Sequence, residues 1–402
     1  MNSGKRDGKS AMPETDYEKE LERLEADISA LAPDALRPPV DAGRATQYVS
    51  LLYQRASLTG NLKSLREVES AIDEVIGIVN HAGDLLFLKA NLAFKLHRLN
   101  DVAAILQRES SLRETPEGRA LRSDLDFQSG HYREARDGYE KAIAEDRTWD
   151  NLARLAHLAF KMGDGAGADR LYEEAEDELT AKQMRSFAWL ELQRGLLDLE
   201  KHHHAAAREH YRKAELAYSG YWLVEQHSAA LLAAEGHLTQ AAELYCRIAE
   251  QVPKPEIQEA IGKLYLSMER REEAGPWLKS AEAEYLESAG AGEIHYLHHL
   301  ADFYLHTAPD PQRALYWAEL DVKHRANFST QAVLALALFR NGRAQEAAEQ
   351  ITAALSSGVE DDHIFSTAAQ IFRAAGRPDK ADKYAARVPE SHGAHAHFHM
   401  HH

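Results

Sequence analysis

A short pattern of small and aromatic residues recurs along most of the chain at a nearly constant interval. In its first clear copy, Gly130 is followed by Ala135, Tyr139 and Ala142, which fall at i, i+4 and i+7 on one helix face. Gly130 can adopt the positive φ that a tight turn between two helices needs. The alanines that correspond to Ala135 recur about every 34 residues, with two longer intervals, at Ala168, Ala207, Ala241, Ala274, Ala314, Ala347 and Ala381. This period predicts tandem two-helix units rather than one globular core.

The period and the pattern together resemble the tetratricopeptide repeat, in which helix A carries a large residue, a small residue and an aromatic. Matching helix A residues are Leu155-Ala156, Ile261-Gly262 with Tyr265, Leu300-Ala301 with Tyr304, and Leu334-Ala335. The resemblance implies an all-α, right-handed superhelical solenoid of about ten helix pairs. It also implies a scaffold or adaptor that binds a protein or peptide in its concave groove and catalyses no reaction. The copies depart from the pattern at Glu269 and Ala308, which replace turn glycines, and at Pro276, inside a helix B.

The chain divides into segments of different character. A polar stretch at 1–14 is expected to be disordered. The following segments are an amphipathic helix and linker at 15–40, degenerate helical repeats at 41–115, clear repeats at 116–286, final repeats at 287–390 and a histidine-rich tail at 391–402. A flexible break at Ser288–Gly292 is expected to precede the final repeats.

The first predicted helix carries an apolar seam. It begins with a capping box, Thr15 to Glu18, and the seam consists of Tyr17, Leu21, Leu24, Ile28 and Leu31. Two hypotheses follow. The seam docks on the first repeat, or it pairs with a second copy of the chain to form a homodimer.

The composition narrows the partners and the compartment. A formal charge of −17 argues against nucleic acid and a membrane surface as partners, because contacts with phosphates need a basic surface. No stretch approaches the length of a membrane-spanning helix. The one cysteine, Cys246, excludes an intrachain disulfide and fits a cytoplasmic protein. Residues 1–12 lack the apolar core of a signal peptide, so an exported protein whose signal peptide is absent from this sequence is the alternative.

The sequence contains no recognisable enzyme motif. The glycine-rich run 163–167 superficially resembles a phosphate-binding loop, but no strand precedes it and no Lys-Ser/Thr follows it. The zinc-protease motif H-E-x-x-H, paired cysteines and G-x-S-x-G are absent from the sequence. The sequence therefore predicts a binding protein rather than an enzyme, with no required cofactor.

Histidine is unusually frequent, with 22 copies. The tail holds a candidate metal-ligand set, His392, His395, His397, His399, His401 and His402. Imidazole suits Ni²⁺, Cu²⁺, Zn²⁺ and Co²⁺, and close spacing lets several nitrogens reach one ion. An alternative function is therefore metal handling, with the solenoid as a docking surface for a partner. A solvated tail that holds no ion, natural or introduced for purification, is the other interpretation.

A second set of polar residues is predicted on two neighbouring helices. Between Ile294 and His306, one helix face carries His295, His298, Asp302 and His306, spaced i, i+3, i+7 and i+11. The resemblance implies that these positions line the concave groove, opposite Glu256, Glu259 and Lys263 of the preceding repeat. We expect these side chains to be at least partly accessible and to bind a partner or a transition metal. Histidines that merely line a wet groove are the plain alternative.

The charge of the predicted groove indicates the kind of partner. The resemblance places Glu117, Asp124, Asp150 and His157 at groove positions of the early repeats, where members that clamp acidic peptide tails carry Lys and Asn. A basic or metal-bearing partner is therefore expected rather than an acidic one.

Overall fold

A computed structural model describes residues 13–37, 40–78 and 83–388. Helices cover 79% of these residues, which contain no strand. None of the helices in the described part is both long and apolar enough to cross a membrane. The all-helical prediction is thus confirmed, while the right-handed sense of the superhelix stays a prediction.

The helices are numbered in chain order. They are α1 (Asp16–Ala35), α2 (Ala42–Thr59), α3 (Leu62–Ile76), α4 (Gly83–Lys95), α5 (Leu99–Arg108), α6 (Ser110–Arg113), α7 (Pro116–Gln128), α8 (Tyr132–Glu145), α9 (Trp149–Lys161), α10 (Gly165–Asp177), α11 (Met184–Glu200), α12 (His204–Ala217), α13 (Trp222–Ala234), α14 (Leu238–Gln251), α15 (Pro255–Ser267), α16 (Arg271–Gly290), α17 (Leu297–Asp302), α18 (Pro311–Asp321), α19 (Phe328–Arg340), α20 (Ala344–Ser356), α21 (Asp362–Ala374) and α22 (Pro378–Ala385). A π-helical turn, Phe303–Thr307, directly follows α17. Apart from α1 and the short α6, successive helices form ten antiparallel pairs in the described part of the chain.

The repeat alanines lie at the centre of the packing. All eight, from Ala135 to Ala381, have 0% of their surface exposed. The tyrosines of the stripe are also buried, with Tyr139 at 3% and Tyr172 at 0% exposed. Small residues of helix A have the same role: a Cβ on Gly262 would lie 2.3 Å from a methyl group of Leu278 on the paired helix. Each pair can therefore close only where these positions stay small.

The turns within the pairs follow the predicted glycines. Gly130 and Gly163 have φ of 83° and 88°, the left-handed conformation that glycine adopts without strain. Glu269 has φ of 62°, so this non-glycine residue takes the same conformation. Ala308 differs, since its φ is −128° after the π-helical turn.

Two local expectations were wrong. The predicted helix Ile294–His306 begins only at Leu297 and changes to a π-helical turn after Asp302. The predicted break at Ser288–Gly292 lies later than expected, because α16 continues to Gly290 and α17 begins only at Leu297. Ser288 is buried in α16 and donates a hydrogen bond to Glu293.

The seam of α1 is covered within the chain. Tyr17, Leu24 and Ile28 are buried, and α1 packs against α2. The helix also reaches the loop after α12, where the backbone N–H of Tyr17 donates to the carbonyl of Ser219 at 3.1 Å. This arrangement matches the docking hypothesis. The apolar seam on which the homodimer hypothesis depends is largely buried within the chain.

Successive turns of the solenoid touch each other. The side-chain amide of Asn327 donates a hydrogen bond to Gln128, 199 residues away, at 2.9 Å. The hydroxyl of Ser219 donates a hydrogen bond to the carboxylate of Asp16, 203 residues away. These separations are close to six periods of about 34 residues. One superhelical turn therefore contains about six repeats, and the turns enclose an interior space.

A candidate binding channel inside the superhelix

The interior space is a cavity of about 700 Å³. Its wall consists of residues from α7, α9, α11, α13, α17, α19 and α21, together with the turns between helices. Apolar side chains in the wall include Phe127, Phe160, Leu196, Leu199, Val333 and Leu336. Such a mixture of apolar wall and polar groups is typical of ligand and peptide sites. We call this cavity the channel.

Contacts between turns close one side of the channel. The hydroxyl of Tyr132 accepts a hydrogen bond from the backbone N–H of Phe328 at 2.7 Å. At Gly163, a Cβ would lie 2.1 Å from Cβ of Glu360. Only glycine fits there, because φ is positive and the next turn lies against the backbone.

The channel wall carries more acidic than basic groups. Its carboxylates are Glu200, Asp302, Glu360, Asp361 and Asp362, and its cations are Lys161, Lys201 and Arg325. Arg325 is already engaged by Asp321, whose Oδ1 accepts from Nε and Nη2 of Arg325 at 3.1 and 3.0 Å. The remaining wall is therefore negative at neutral pH.

Glu200 shows the effect of this crowding. Its side chain keeps solvent-accessible surface, yet the surrounding repeats partly desolvate its carboxylate. This burial raises the pKa of Glu200, the nearby Asp361 and Asp362 raise it further, and Lys161 opposes them. A cationic group entering the channel would relieve this repulsion.

Six histidines line the channel: His157, His202, His204, His298, His306 and His363. His306 lies 3.6 Å from Asp302, measured from Nε2 to Oδ1. The ring centroids of His306 and His363 are 6.3 Å apart. The sequence-predicted residues Asp302 and His306 line the channel and keep accessible surface, while their role in binding stays a prediction.

His298 does not match the expected exposure. It lines the channel but has only 6% of its surface exposed. Its Nδ1 lies 3.1 Å from Oδ2 of Asp321. Burial by itself raises the pKa of Asp321, but the hydrogen bond from His298 and the charge of Arg325 outweigh it, so the pKa falls below its ordinary value. His298 is thus part of a buried charged cluster that holds α17 against α18.

His295 is also placed differently from the prediction. It precedes α17 and packs on His97 of the turn between α4 and α5, with ring centroids 4.9 Å apart. Because α17 starts two residues after His295, His295 does not lie on the predicted helix face with His298. His295 is absent from the channel wall as described.

The predicted opposite face is mainly structural. Glu259 is buried and accepts hydrogen bonds from Tyr285 at 3.0 Å and Thr307 at 2.6 Å. Lys263 lies 3.0 Å from Glu259; burial by itself lowers the pKa of this lysine, but Glu259 and Asp302 raise it above its ordinary value. Neither these two residues nor Glu256 belongs to the described channel wall. The reason is that α15 packs this face against α16 and the π-helical turn.

The sequence did not identify several channel residues. Of the four early-repeat positions, His157 lines the channel, whereas Asp124 is buried and accepts hydrogen bonds from Tyr139 at 2.7 Å and Arg154 at 3.0 Å. The acidic run 360–362, at the start of α21, was the sequence signal that could have identified this part of the channel wall. Its proximity to Gly163 depends on the superhelical pitch, which a single sequence does not reveal.

No metal cluster is present in the described residues, since no three or more His, Cys, Asp or Glu side chains there are arranged to hold an ion. The predicted tail ligands, His392 to His402, lie outside the described residues. The tail hypothesis therefore stays a prediction.

Comparison with known proteins gives similarity in fold only. No protein-family model matches the chain. No curated protein matches it either. Among solved structures, a tetratricopeptide repeat protein from Parabacteroides merdae is 14% identical and covers 72% of this chain and 99% of its own, with a TM-score of 0.35. An IFIT1 monomeric mutant with Gppp-AAAA is 16% identical over 92% of this chain and 94% of its own, with a TM-score of 0.45. The APC/C hetero-tetramer Cut9-Hcn1 is 16% identical over 91% of this chain and 78% of its own, with a TM-score of 0.43.

These similarities are too distant to carry functional detail, and the classification depends on the molecule's own repeats. The buried alanines, the left-handed turns and the period near 34 residues together define it. The chain is a helical repeat protein of the tetratricopeptide-like type, with a channel between its superhelical turns.

Proposed function

We propose that the chain is a scaffold or adaptor that binds a basic or polar segment of a partner protein inside the channel. The observation that carries this proposal is the channel wall, in which carboxylates from three different repeats occur together with apolar side chains. A partner lysine or arginine would pair with these carboxylates, and its apolar neighbours would contact Phe160 and Leu199. The net charge of −17 would favour the approach of such a segment.

The channel dimensions suit a peptide segment. A volume of about 700 Å³ lies within the range of pockets that enclose several side chains. The channel is present in the structure without a partner, and its wall combines helix residues with turn residues. Preformed sites lose less conformational entropy on binding.

Selection of peptides on the intact chain tests the proposal. A random peptide library displayed on phage is selected against the immobilised protein, and enriched peptides are measured by fluorescence anisotropy. We expect enrichment of Lys and Arg and weaker binding as salt concentration rises. Enrichment of acidic peptides would contradict the proposed charge preference.

Two variants locate the binding site. Asp361→Asn with Asp362→Asn removes two charges, and asparagine at 361 can still cap α21, whose Ile364 N–H donates to Asp361. Ala234→Trp fills part of the channel, whereas Ala206→Trp on the exposed face of α12 is the matched control. Both channel variants should weaken binding, and the control should not. Equal binding by Ala234→Trp and the parent would place the peptide elsewhere.

A further inference from the structure

The turn between α4 and α5 carries a histidine at a position where the equivalent turn after α7 carries glycine. The backbone N–H of His97 donates to the carbonyl of Phe94 at 2.9 Å, as the N–H of Gly130 donates to Phe127 at 3.1 Å. His97 has φ of 59°, a conformation that glycine adopts freely and that a residue with a Cβ adopts less readily. The imidazole therefore occupies this turn despite a less favourable backbone.

This imidazole contacts the next superhelical turn. The rings of His97 and His295 have centroids 4.9 Å apart and planes tilted by 33°. His295 also forms a hydrogen bond with the backbone of Lys95, which precedes the same turn. Beside this contact, Arg66 and Glu293 form an ion pair between the same two superhelical turns. We call the contact of His295 with His97 and the backbone of Lys95 the latch.

The groups that act on His97 oppose its protonation. Burial lowers the pKa of His97 well below its ordinary value of about 6.5, and Arg325, His295 and His298 lower it further. Asp321 accepts hydrogen bonds from Arg325 and pairs with His298, so its charge is already engaged. His97 therefore stays neutral while the latch is closed.

His295 has a more mixed environment. Burial lowers its pKa, Glu256 raises it, Lys254 and Arg325 lower it, and the hydrogen bond to Lys95 raises it; the pKa remains below its ordinary value. Nδ1 of His295 and Oε2 of Glu256 are both buried without a hydrogen-bond partner in the described residues. A protonated His295 would be attracted to Glu256 and would repel a charge on the neighbouring ring. The closed contact cannot easily hold two charged imidazoles.

We propose that His97 and His295 form an acid-released latch, which holds the α4–α5 turn against the segment before α17 while both rings are neutral and opens when they are protonated. In the open state both rings are in water and bind protons below pH of about 6.5. At pH 5 opening is then favoured by up to about thirtyfold for each histidine that the closed contact keeps neutral. At pH 7.5 neither state binds these protons, and the latch stays closed.

The latch goes beyond the scaffold function and does not depend on the identity of a partner. It lies beside the channel, because His298 and Arg325 both line the channel and act on His97. Opening would free the early repeats from this part of the channel wall. Mild acid would thus loosen the superhelix locally, before the repeats themselves unfold.

Hydrogen exchange of the full chain, followed by mass spectrometry at pH 7, 6 and 5, tests the proposal. Exchange times are scaled to the chemical exchange rate at each pH. Between pH 7 and pH 5, protection of residues 94–98 should fall at least roughly tenfold more than protection of residues 160–164. The second segment is an equivalent turn in which glycine replaces His97 and which also meets the next superhelical turn, at Glu360.

Two variants identify the groups that bind the protons. His97→Asn tolerates the left-handed φ, and His295→Gln keeps a polar side chain; neither new residue titrates in this range. Each variant should remove most of the extra loss of protection at residues 94–98. His237→Asn, at an exposed turn histidine, is the matched control and should respond to pH like the parent.

Three outcomes would overturn the latch. The first is an equal loss of protection at residues 94–98 and 160–164 of the parent. The second is a parent-like pH response in both histidine variants. The third is a loss of protection throughout the solenoid at pH 5, including residues 339–343, which would show global unfolding rather than local opening. Circular dichroism at pH 7 checks that the variants are folded, and the comparison of two turns in the parent decides the proposal if they are not.

Discussion

The hydroxyl of Tyr132 and the backbone N–H of Phe328 are 196 residues apart in the chain and form a hydrogen bond of 2.7 Å. Their rings also approach each other, with centroids 5.6 Å apart. Tyr132 starts α8 and Phe328 starts α19, so the bond joins two turns of the superhelix. Contacts of this kind give a repeat array long-range cooperativity that neighbouring repeats alone do not provide.

Loss of this bond should destabilise the contact between turns. Tyr132→Phe keeps the ring but leaves the N–H of Phe328 without its partner. The expected cost is about 1–3 kcal/mol of unfolding free energy, the usual penalty for an unsatisfied buried donor. Chemical denaturation measures it, and hydrogen exchange should increase at Phe328. Tyr316→Phe, at a side chain that is 60% exposed, is the control and should have no measurable effect.

The register of the repeats predicts a contrast between adjacent residues of α16. Ala274 is fully buried, whereas Glu273 is exposed and pairs with Arg270. Ala274→Trp overpacks the helix contact and should cost about 1–3 kcal/mol or more. Glu273→Gln should change stability by roughly 0.5 kcal/mol or less. Equal denaturation midpoints for the two variants would contradict the register.

The fold was predictable because its determinants are local. A small residue must occupy each position where two helices cross, so Ala135, Ala274 and the others recur at the repeat period and mark the register. Turn glycines such as Gly130 mark the boundaries between helices for a similar steric reason. The π-helical turn after Asp302 was not predictable, since its sequence has the same apolar spacing as an ordinary helix.

The site was less predictable because it depends on contacts between distant repeats. A helical pattern places Asp302 and His306 on an inner face, and both line the channel. The pattern could not show that Asp321 and Arg325 enclose His298, or that α15 turns Glu259 toward Tyr285 and Thr307. Likewise, the approach of Glu360 to Gly163 is set by the pitch of the superhelix, to which every repeat contributes a small rotation.

The crowded carboxylates of the channel should reduce the stability of the fold at neutral pH. The pKa of Glu200 is raised, mainly by burial and then by Asp361 and Asp362, so ionisation of Glu200 opposes folding. This penalty is present above the folded-state pKa and disappears below the unfolded-state pKa of about 4.3. Glu200→Gln should therefore raise stability at pH 7 by up to about 0.5 kcal/mol, since the side chain remains partly hydrated.

Urea denaturation at pH 7 and pH 4 measures the effect of Glu200→Gln. The gain should shrink at the lower pH, where Glu200 is protonated in the parent. Glu209→Gln, on an exposed pair with Arg212, is the control and should give no such gain. Equal or lower stability of Glu200→Gln at pH 7 would show that Lys161 already compensates the carboxylate.

The contact between His97 and His295 predicts a loss of stability in mild acid. Burial lowers the pKa of both His97 and His295, and Arg325 lowers both further. His298 also faces His97, while the charged groups around His295 are Lys254, which lowers its pKa, and Glu256, which raises it. The Nδ1 atoms of both rings are buried without a hydrogen-bond partner in the described structure. Protonation is therefore costly in the folded state.

The sign of the pH effect follows from these lowered values. Above pH of about 6.5, both histidines are neutral in the folded and unfolded states and contribute no pH dependence. Below it, the unfolded chain binds protons that the folded chain does not, so the free energy of unfolding falls as pH drops toward 5. His97→Asn should reduce this fall by roughly 1 kcal/mol, and asparagine tolerates the left-handed φ of 59° at this position. Urea denaturation at pH 7, 6 and 5 measures it, with exposed His237→Asn as the control. If the stability of the parent is unchanged between pH 7 and pH 5, the folded protein binds protons at these histidines without cost, and the prediction is wrong.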